Sequence, residues 1–281
     1  MSIPLIILSG CGDSNDLNRQ IQGNSATVTI NTTAADWSSP TDMSLIWSDE
    51  FNDNKINTSS WNYDTEASGW RKSWNNELQD YVDDGSGGLN AYVSNGNLVI
   101  RAIKQAPDKY TSARLTTRNK HFWSYGVLVA ARIKLPYGQG IWPAFWMLPE
   151  SGTWPDAGEI DIMELIGGGE GRDNKTYGTL HGPSFYGASC IQGSTILATG
   201  NFYDAYHVFA VLWTKGQINW FVDGILYHTV KSNTVPGRWP FDNGYFHILL
   251  NLAVGGSWPG YPDATTVFPQ EMLIDWVRVY K

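Results

Sequence analysis

The chain has 281 residues, enough for one large domain or two small ones. Its formal net charge of −8 and the lack of any basic run exclude the clustered Lys and Arg that nucleic acid or an anionic membrane surface demands. Charged residues are sparse at 16%, whereas aromatics reach 14% and include 14 Trp, more indoles than a core needs, so some are expected to face a ligand. A flat apolar ring suits the C–H face of a sugar.

At the N-terminus, Ile3 to Leu8 is an apolar run followed by Leu8-Ser9-Gly10-Cys11. It resembles a bacterial lipoprotein signal cut before Cys11, with lipid carried on that thiol. The run is shorter than the usual ~7–15 apolar residues, and no Lys or Arg precedes it. Residues 1–11 are therefore expected to be a signal remnant, and the protein a secreted or cell-envelope lipoprotein that meets a membrane only through that anchor. Residues 12–44, rich in Ser, Thr, Asn and Asp and without Tyr or Phe, are expected to be a polar linker. No later segment approaches the ~18–20 apolar residues of a membrane helix. The only other cysteine, Cys190, makes no metal-type spacing with Cys11, and no role is assigned to it.

From Leu45 to Lys281 the punctuation is that of one all-β domain. Asn97 to Ile103 alternates after Asn95-Gly96, and Tyr125 to Leu135 is a strand stopped by Pro136. Gln217 to Ile225 alternates and turns at Asp223-Gly224, a hairpin signal. Phe246 to Ala253 and Met272 to Tyr280 are further strands. No sustained helical period and no internal repeat occurs, so a sandwich or jelly roll is expected.

The segment Gly158-Glu159-Ile160-Asp161-Ile162-Met163-Glu164 interleaves three carboxylates with apolar residues. In a strand Glu159 and Asp161 share a face, while Ile160 and Ile162 point to the core. Strict alternation would bury Glu164 in that core, at high cost. A β-bulge around Ile162-Met163 adds one residue and returns Glu164 to the face of the other two acids. Two such carboxyl groups suit glycoside hydrolysis with retention, which needs them about 5–5.5 Å apart. One attacks the anomeric carbon; the other protonates the leaving oxygen and then activates water. Asp161 between them would raise the pKa of the acid. Two carboxylates suffice, so no catalytic cofactor is expected.

This strand resembles the active-site strand of glycoside hydrolase family 16, and its E-x-D-x-x-E spacing is similar to the laminarinase branch. The resemblance continues in order through Trp47-Ser48-Asp49-Glu50-Phe51-Asn52, Trp74-Asn75-Asn76-Glu77, Tyr110-Thr111-Ser112-Ala113-Arg114 and Trp142-Pro143-Ala144-Phe145-Trp146. It ends with Asn251-Leu252-Ala253-Val254-Gly255-Gly256 and Asp275-Trp276-Val277-Arg278-Val279-Tyr280, and so covers about residues 45–281. It implies a β-jelly-roll sandwich of two stacked antiparallel sheets with a concave substrate cleft. It also implies Glu159 as nucleophile, Asp161 as its electrostatic helper and Glu164 as acid/base. Trp142 and Trp146 would be sugar platforms, Trp154 and Trp258 loop contacts, His181 a neighbour of the cleaved bond, and Asn75 and Arg114 contacts to sugar hydroxyls. Many family members hold a structural Ca²⁺ away from the cleft, here matching Glu50, Gly96 and Asp275.

The leading expectation is thus a monomeric endo-β-1,3-glucanase acting on β-glucan. Within the family, a mixed-linkage β-1,3-1,4-glucanase or a transglycosylase is the alternative. A non-catalytic glucan-binding module is the alternative of a different class, and retention of both glutamates argues against it. The sequence departs from the family pattern at Arg71-Lys72-Ser73, where glycines are usual, and at Ala113.

Overall fold

The structure, a computed structural model, describes residues 42–83, 88–169 and 171–281, with two further short strands that pair with each other, Thr32–Thr33 (β1) and Asp36–Trp37 (β2). The expected signal at 1–11, with Cys11, and nearly all of the expected linker lie outside the described residues. The strands of the two large sheets begin at Leu45. They are Leu45–Asp49 (β3), Asn62–Tyr63 (β4), Gln79–Tyr81 (β5), Ala91–Ser94 (β6), Asn97–Ala106 (β7), Lys109–Ser112 (β8) and Arg114–Thr116 (β9). Then come Val127–Lys134 (β10), Ile141–Pro149 (β11), Glu159–Glu164 (β12), Lys175–His181 (β13), Ile191–Ile196 (β14) and His207–Thr214 (β15). Gln217–Val222 (β16), Ile225–Lys231 (β17), Phe246–Val254 (β18) and Gln270–Tyr280 (β19) complete the series.

Two large sheets stack. One runs β14-β13-β12-β11-β18-β9-β4, and the other β17-β16-β15-β10-β19-β7-β8-β5, with β3 added on β19 and β6 on β7. This is the expected jelly-roll sandwich. Among the described residues the pairing is antiparallel except for the short parallel contact of β5 with β8. The predicted hairpin at Asp223-Gly224 joins β16 to β17, with Asp223 at φ 48° and Gly224 at φ 77°, the positive values such a turn requires.

Alternation sorts each strand into two faces. On β18, Ile248, Leu250, Leu252 and Val254 enter the core between the sheets, while Leu249 and Ala253 pack in separate clusters on the outer face. On β11, Phe145 and Met147 enter the core, while Trp142, Ala144 and Trp146 lie outside it. Each large apolar side chain buried in this way contributes roughly 1.5–3 kcal/mol. The chain passes from one sheet to the other between β8 and β9, where only the fully buried Ala113 intervenes. A small residue suits that corner. The outer face of the seven-stranded sheet carries the cleft.

Candidate active site

β12 lies third in its sheet, paired on both sides. Against β13, Asp161 faces Thr179 and Glu164 faces Tyr177, so three steps on β12 match two on its neighbour. Against β11, Asp161 faces Trp146 and Met163 faces Phe145, again with one extra residue on β12. The expected bulge therefore sits at Ile162. Consecutive Ile162 and Met163 both pack into the core between the sheets. That leaves Glu159, Asp161 and Glu164 to the cleft side.

All three acids are buried. His181, opposite Glu159 on β13, brings its Nε2 to 3.7 Å from a Glu159 oxygen and 3.4 Å from an Asp161 oxygen. Its Nδ1 accepts the main-chain N–H of Gly187 at 3.2 Å. In the neutral ring that bond places the proton on Nε2, facing the acids. Glu164 accepts the indole N–H of Trp142 at 3.0 Å. Among the described residues, neither oxygen of Glu159 meets a donor in hydrogen-bond geometry.

Burial pushes all three carboxyls up. For Glu164 burial is the largest cause, followed by the charge of Asp161, and the group is pushed up to about 8; His181 and hydrogen bonds from Trp142 and Thr179 oppose the rise. Glu159 is held well above the carboxylate range by burial first and Asp161 second, with His181 and the Trp154 indole acting the other way. Asp161 is raised well above its ordinary value by burial, with the Glu159 carboxyl beside it opposing the rise. Glu159, Asp161 and His181 each offer a ligand atom, all within 4.8 Å of one another, so this cluster could also hold a metal ion.

A cleft of about 520 Å³ leads away from these acids, lined among others by Trp154, Arg114, Trp70, Trp74, Leu249 and Arg118. Trp154 is 6.0 Å ring to ring from His181 and so joins the cleft to the acids. Arg114 is buried, 2.9 Å from Asp64, with its guanidinium 4.8 Å above the Trp146 ring. The Trp146 N–H donates to Asn251 at 2.7 Å, and Asn251 donates to Tyr81 at 3.0 Å. Behind this wall Asn75 donates to the buried Glu77, as does Gln79. Gln79 also accepts the Val254 N–H, tying the wall to β18.

Trp142 and Trp146 occupy the expected face, but at 2% and 1% exposure they form its floor and offer no open platform. Trp142 packs edge-on to Trp258 at 5.5 Å, and Trp258 meets Tyr177 at 5.1 Å, making an aromatic end beyond Glu164. Asn75 is buried, and its carbonyl accepts Ser257 N–H, beside Trp258. The structure thus gathers Glu159, Asp161, Glu164, His181, Trp142 and Trp154 at one centre, with Arg114 and Trp146 alongside. Trp70, Asp64 and Tyr177 were not singled out from sequence, and Asn251 entered only as part of a matched segment. Only the abundance of Trp pointed toward Trp70.

The three positions matched to Ca²⁺ lie elsewhere. β3 and β7 flank the same edge of β19, which brings the ends carrying Glu50 and Gly96 toward Asp275. The Glu50 carboxylate is held by two hydrogen bonds from Arg278, and one Asp275 oxygen by Arg132. What remains for a cation is the second Asp275 oxygen and main-chain carbonyls. That all-oxygen set is of the kind Ca²⁺ takes.

Comparison with known proteins agrees with this geometry. Residues 70–278 match the sequence profile of glycosyl hydrolases family 16, and the chain belongs to that family of glycoside hydrolases. It is 38% identical over 255 residues to a β-glucanase of Rhodothermus marinus, covering 84% of this chain and 85% of that one. The catalytic domain of an endo-1,3-β-glucanase (laminarinase) from Thermotoga petrophila superposes with a TM-score of 0.78 at 42% identity, covering 85% of this chain and 98% of that domain. An endo-β-1,3-glucanase from Pyrococcus furiosus gives the same TM-score and identity over 85% of this chain and 94% of its own.

Proposed function

We propose that the chain is a retaining endo-β-1,3-glucanase of laminarinase type. The observation that carries this reading is the bulged strand, which presents Glu159 and Glu164 on one face beside a Trp-lined cleft. Glu164, pushed up to about 8, is protonated at neutral pH and gives its proton to the glycosidic oxygen. Glu159 in its ionised form attacks the anomeric carbon, and the charge of Asp161 helps to hold the proton on Glu164 until it is given up. The Glu164 carboxylate then takes a proton from water, which displaces Glu159 and regenerates the acid. Arg114 offers N–H donors to sugar hydroxyls in the cleft, Trp154 stacks near the cleaved bond, and Trp258 meets the sugar beyond it. Asn75, buried behind the wall, supports that arrangement.

The test is product analysis. Protein would be incubated with β-1,3-glucan, mixed-linkage glucan, agarose and carrageenan in turn. A ladder of short oligosaccharides formed fastest from β-1,3-glucan is expected. Fastest cleavage of mixed-linkage glucan would move the assignment to that activity, and binding without cleavage of any substrate would overturn it. A structural Ca²⁺ at Glu50, Gly96 and Asp275 is part of the same reading; excess chelator is expected to lower the melting temperature, and an unchanged value would remove the ion. A monomer held at the cell envelope through Cys11 completes the proposal. Loss of membrane association in Cys11→Ala would support the anchor.

A further inference from the structure

A bulge inside a sheet takes main-chain groups out of the ladder and is stable only when something else receives them. Here two carbonyls of the bulge are held from outside. The Glu164 carbonyl accepts the Thr176 hydroxyl at 2.9 Å. The Asp161 carbonyl accepts the indole N–H of Trp220 at 2.8 Å. Trp220 is fully buried on β16, in the opposite sheet.

The space for this contact is built by glycine. Gly178 on β13 and Gly193 on β14 face each other. A Cβ on Gly178 would lie 2.4 Å from the Trp220 ring, and one on Gly193 would lie 2.3 Å from the His228 ring. His228 packs against Trp220, its ring tilted and 4.8 Å away, and holds the indole in place. Both glycines thus leave room on the inner face of the seven-stranded sheet for Trp220 to reach the carbonyl between the catalytic glutamates.

We infer that Trp220 is a positioning residue of the reaction, which fixes the bulge from the opposite sheet and thereby sets the spacing of Glu159 and Glu164. The inference rests on the roles assigned to those two glutamates. Trp220 touches no substrate; it acts through the Asp161 carbonyl.

Trp220→Phe removes the N–H and keeps an aromatic ring. Trp213→Phe is the matched control, because Trp213 is equally buried and its indole N–H has no partner. With Trp220→Phe, kcat is expected to fall roughly 10- to 100-fold, the range that misplacement on the order of 1 Å produces, with KM little changed. The alkaline limb of the pH–kcat profile should move to lower pH, because a relaxed bulge takes Glu164 away from Asp161. Of the other titratable groups facing Glu164, Glu159 lies across the same bulge and recedes with Asp161, which moves the limb the same way, while His181 on β13 and Tyr227 on β17 stay in place. Trp213→Phe should leave kcat and the pH profile unchanged. Wild-type kcat and an unmoved limb in Trp220→Phe would overturn the inference, whatever happens to its melting temperature. If the phenyl ring fails to fill the site, benzothienylalanine at position 220 keeps the indole shape with sulfur in place of N–H and reads the same two quantities. Activity retained in Glu159→Ala or Glu164→Ala would instead sink the role assignment itself.

Discussion

Glu159 and Glu164 begin and end the same strand, yet they meet different neighbours. Glu164 accepts an indole N–H from Trp142 and sits against the aromatic end formed by Trp258 and Tyr177. Glu159 has no donor in hydrogen-bond geometry among the described residues; it faces Asp161 and the Nε2 of His181, near the mouth that Trp154 opens to the cleft. Under the proposed roles, one chemical group serves two tasks. A single strong donor and a nearby charge suit a group that must hold and release a proton. A carboxylate whose oxygens accept no hydrogen bond among the described residues suits one that must form a bond to carbon. Environment, set by the bulge and by the strands either side, divides the labour.

The sharpest break of this contrast is to remove either acid. Glu159→Ala and Glu164→Ala are each expected to lose at least ~10²–10⁴-fold in hydrolysis while still binding glucan, as initial rates and binding titration would show. Equal, full activity in either would end the distinction. A smaller change tests the direction of one shift. Activity should fall as pH rises through about 8, where Glu164 loses its proton. The bond from Trp142 holds that value down, so Trp142→Phe should move the alkaline limb upward, by about one pH unit or less. A downward movement would contradict the assigned acid.

The smallest effect is on stability. Glu164 ionises near 4.5 when unfolded and at about 8 when folded. The raised folded value means the folded state holds a proton that the unfolded chain gives up. Its contribution is fully present below about 4.5 and is lost as pH rises toward 8. Glu164→Gln removes that penalty, so its melting temperature should exceed the wild type at pH 8 by more than at pH 5. Calorimetry at the two pH values decides it; an equal difference at both would mean Glu164 carries no such penalty.

The bulge was legible because Glu164 falls out of phase with Ile160 and Ile162, and a carboxylate does not enter an apolar layer without cause. The long strands were legible from alternation, although β7 runs on to Ala106 and β19 begins two residues earlier than Met272. Alternation also placed Trp142 and Trp146 on the cleft side. It could not say that Arg114 would cover one ring and the other would be turned to Glu164, since a period reports a face and not what lies over it. The Asp64–Arg114 pair joins positions 50 residues apart, and neither local pattern points to the other. Trp220 is equally silent, because its partner is a main-chain carbonyl.

The first and last described strands of the sandwich are joined by the main chain itself. Ser44 N–H donates to the Lys281 carbonyl at 2.8 Å, and Lys281 N–H donates back to Ser44 at 2.9 Å. Entry and exit of the domain therefore leave from one point on its surface, on the sheet opposite the cleft. Such a unit is a cassette. It can be set into a longer polypeptide, or its ends fused and a new opening cut in an exposed turn, without disturbing the ladders that hold the acids.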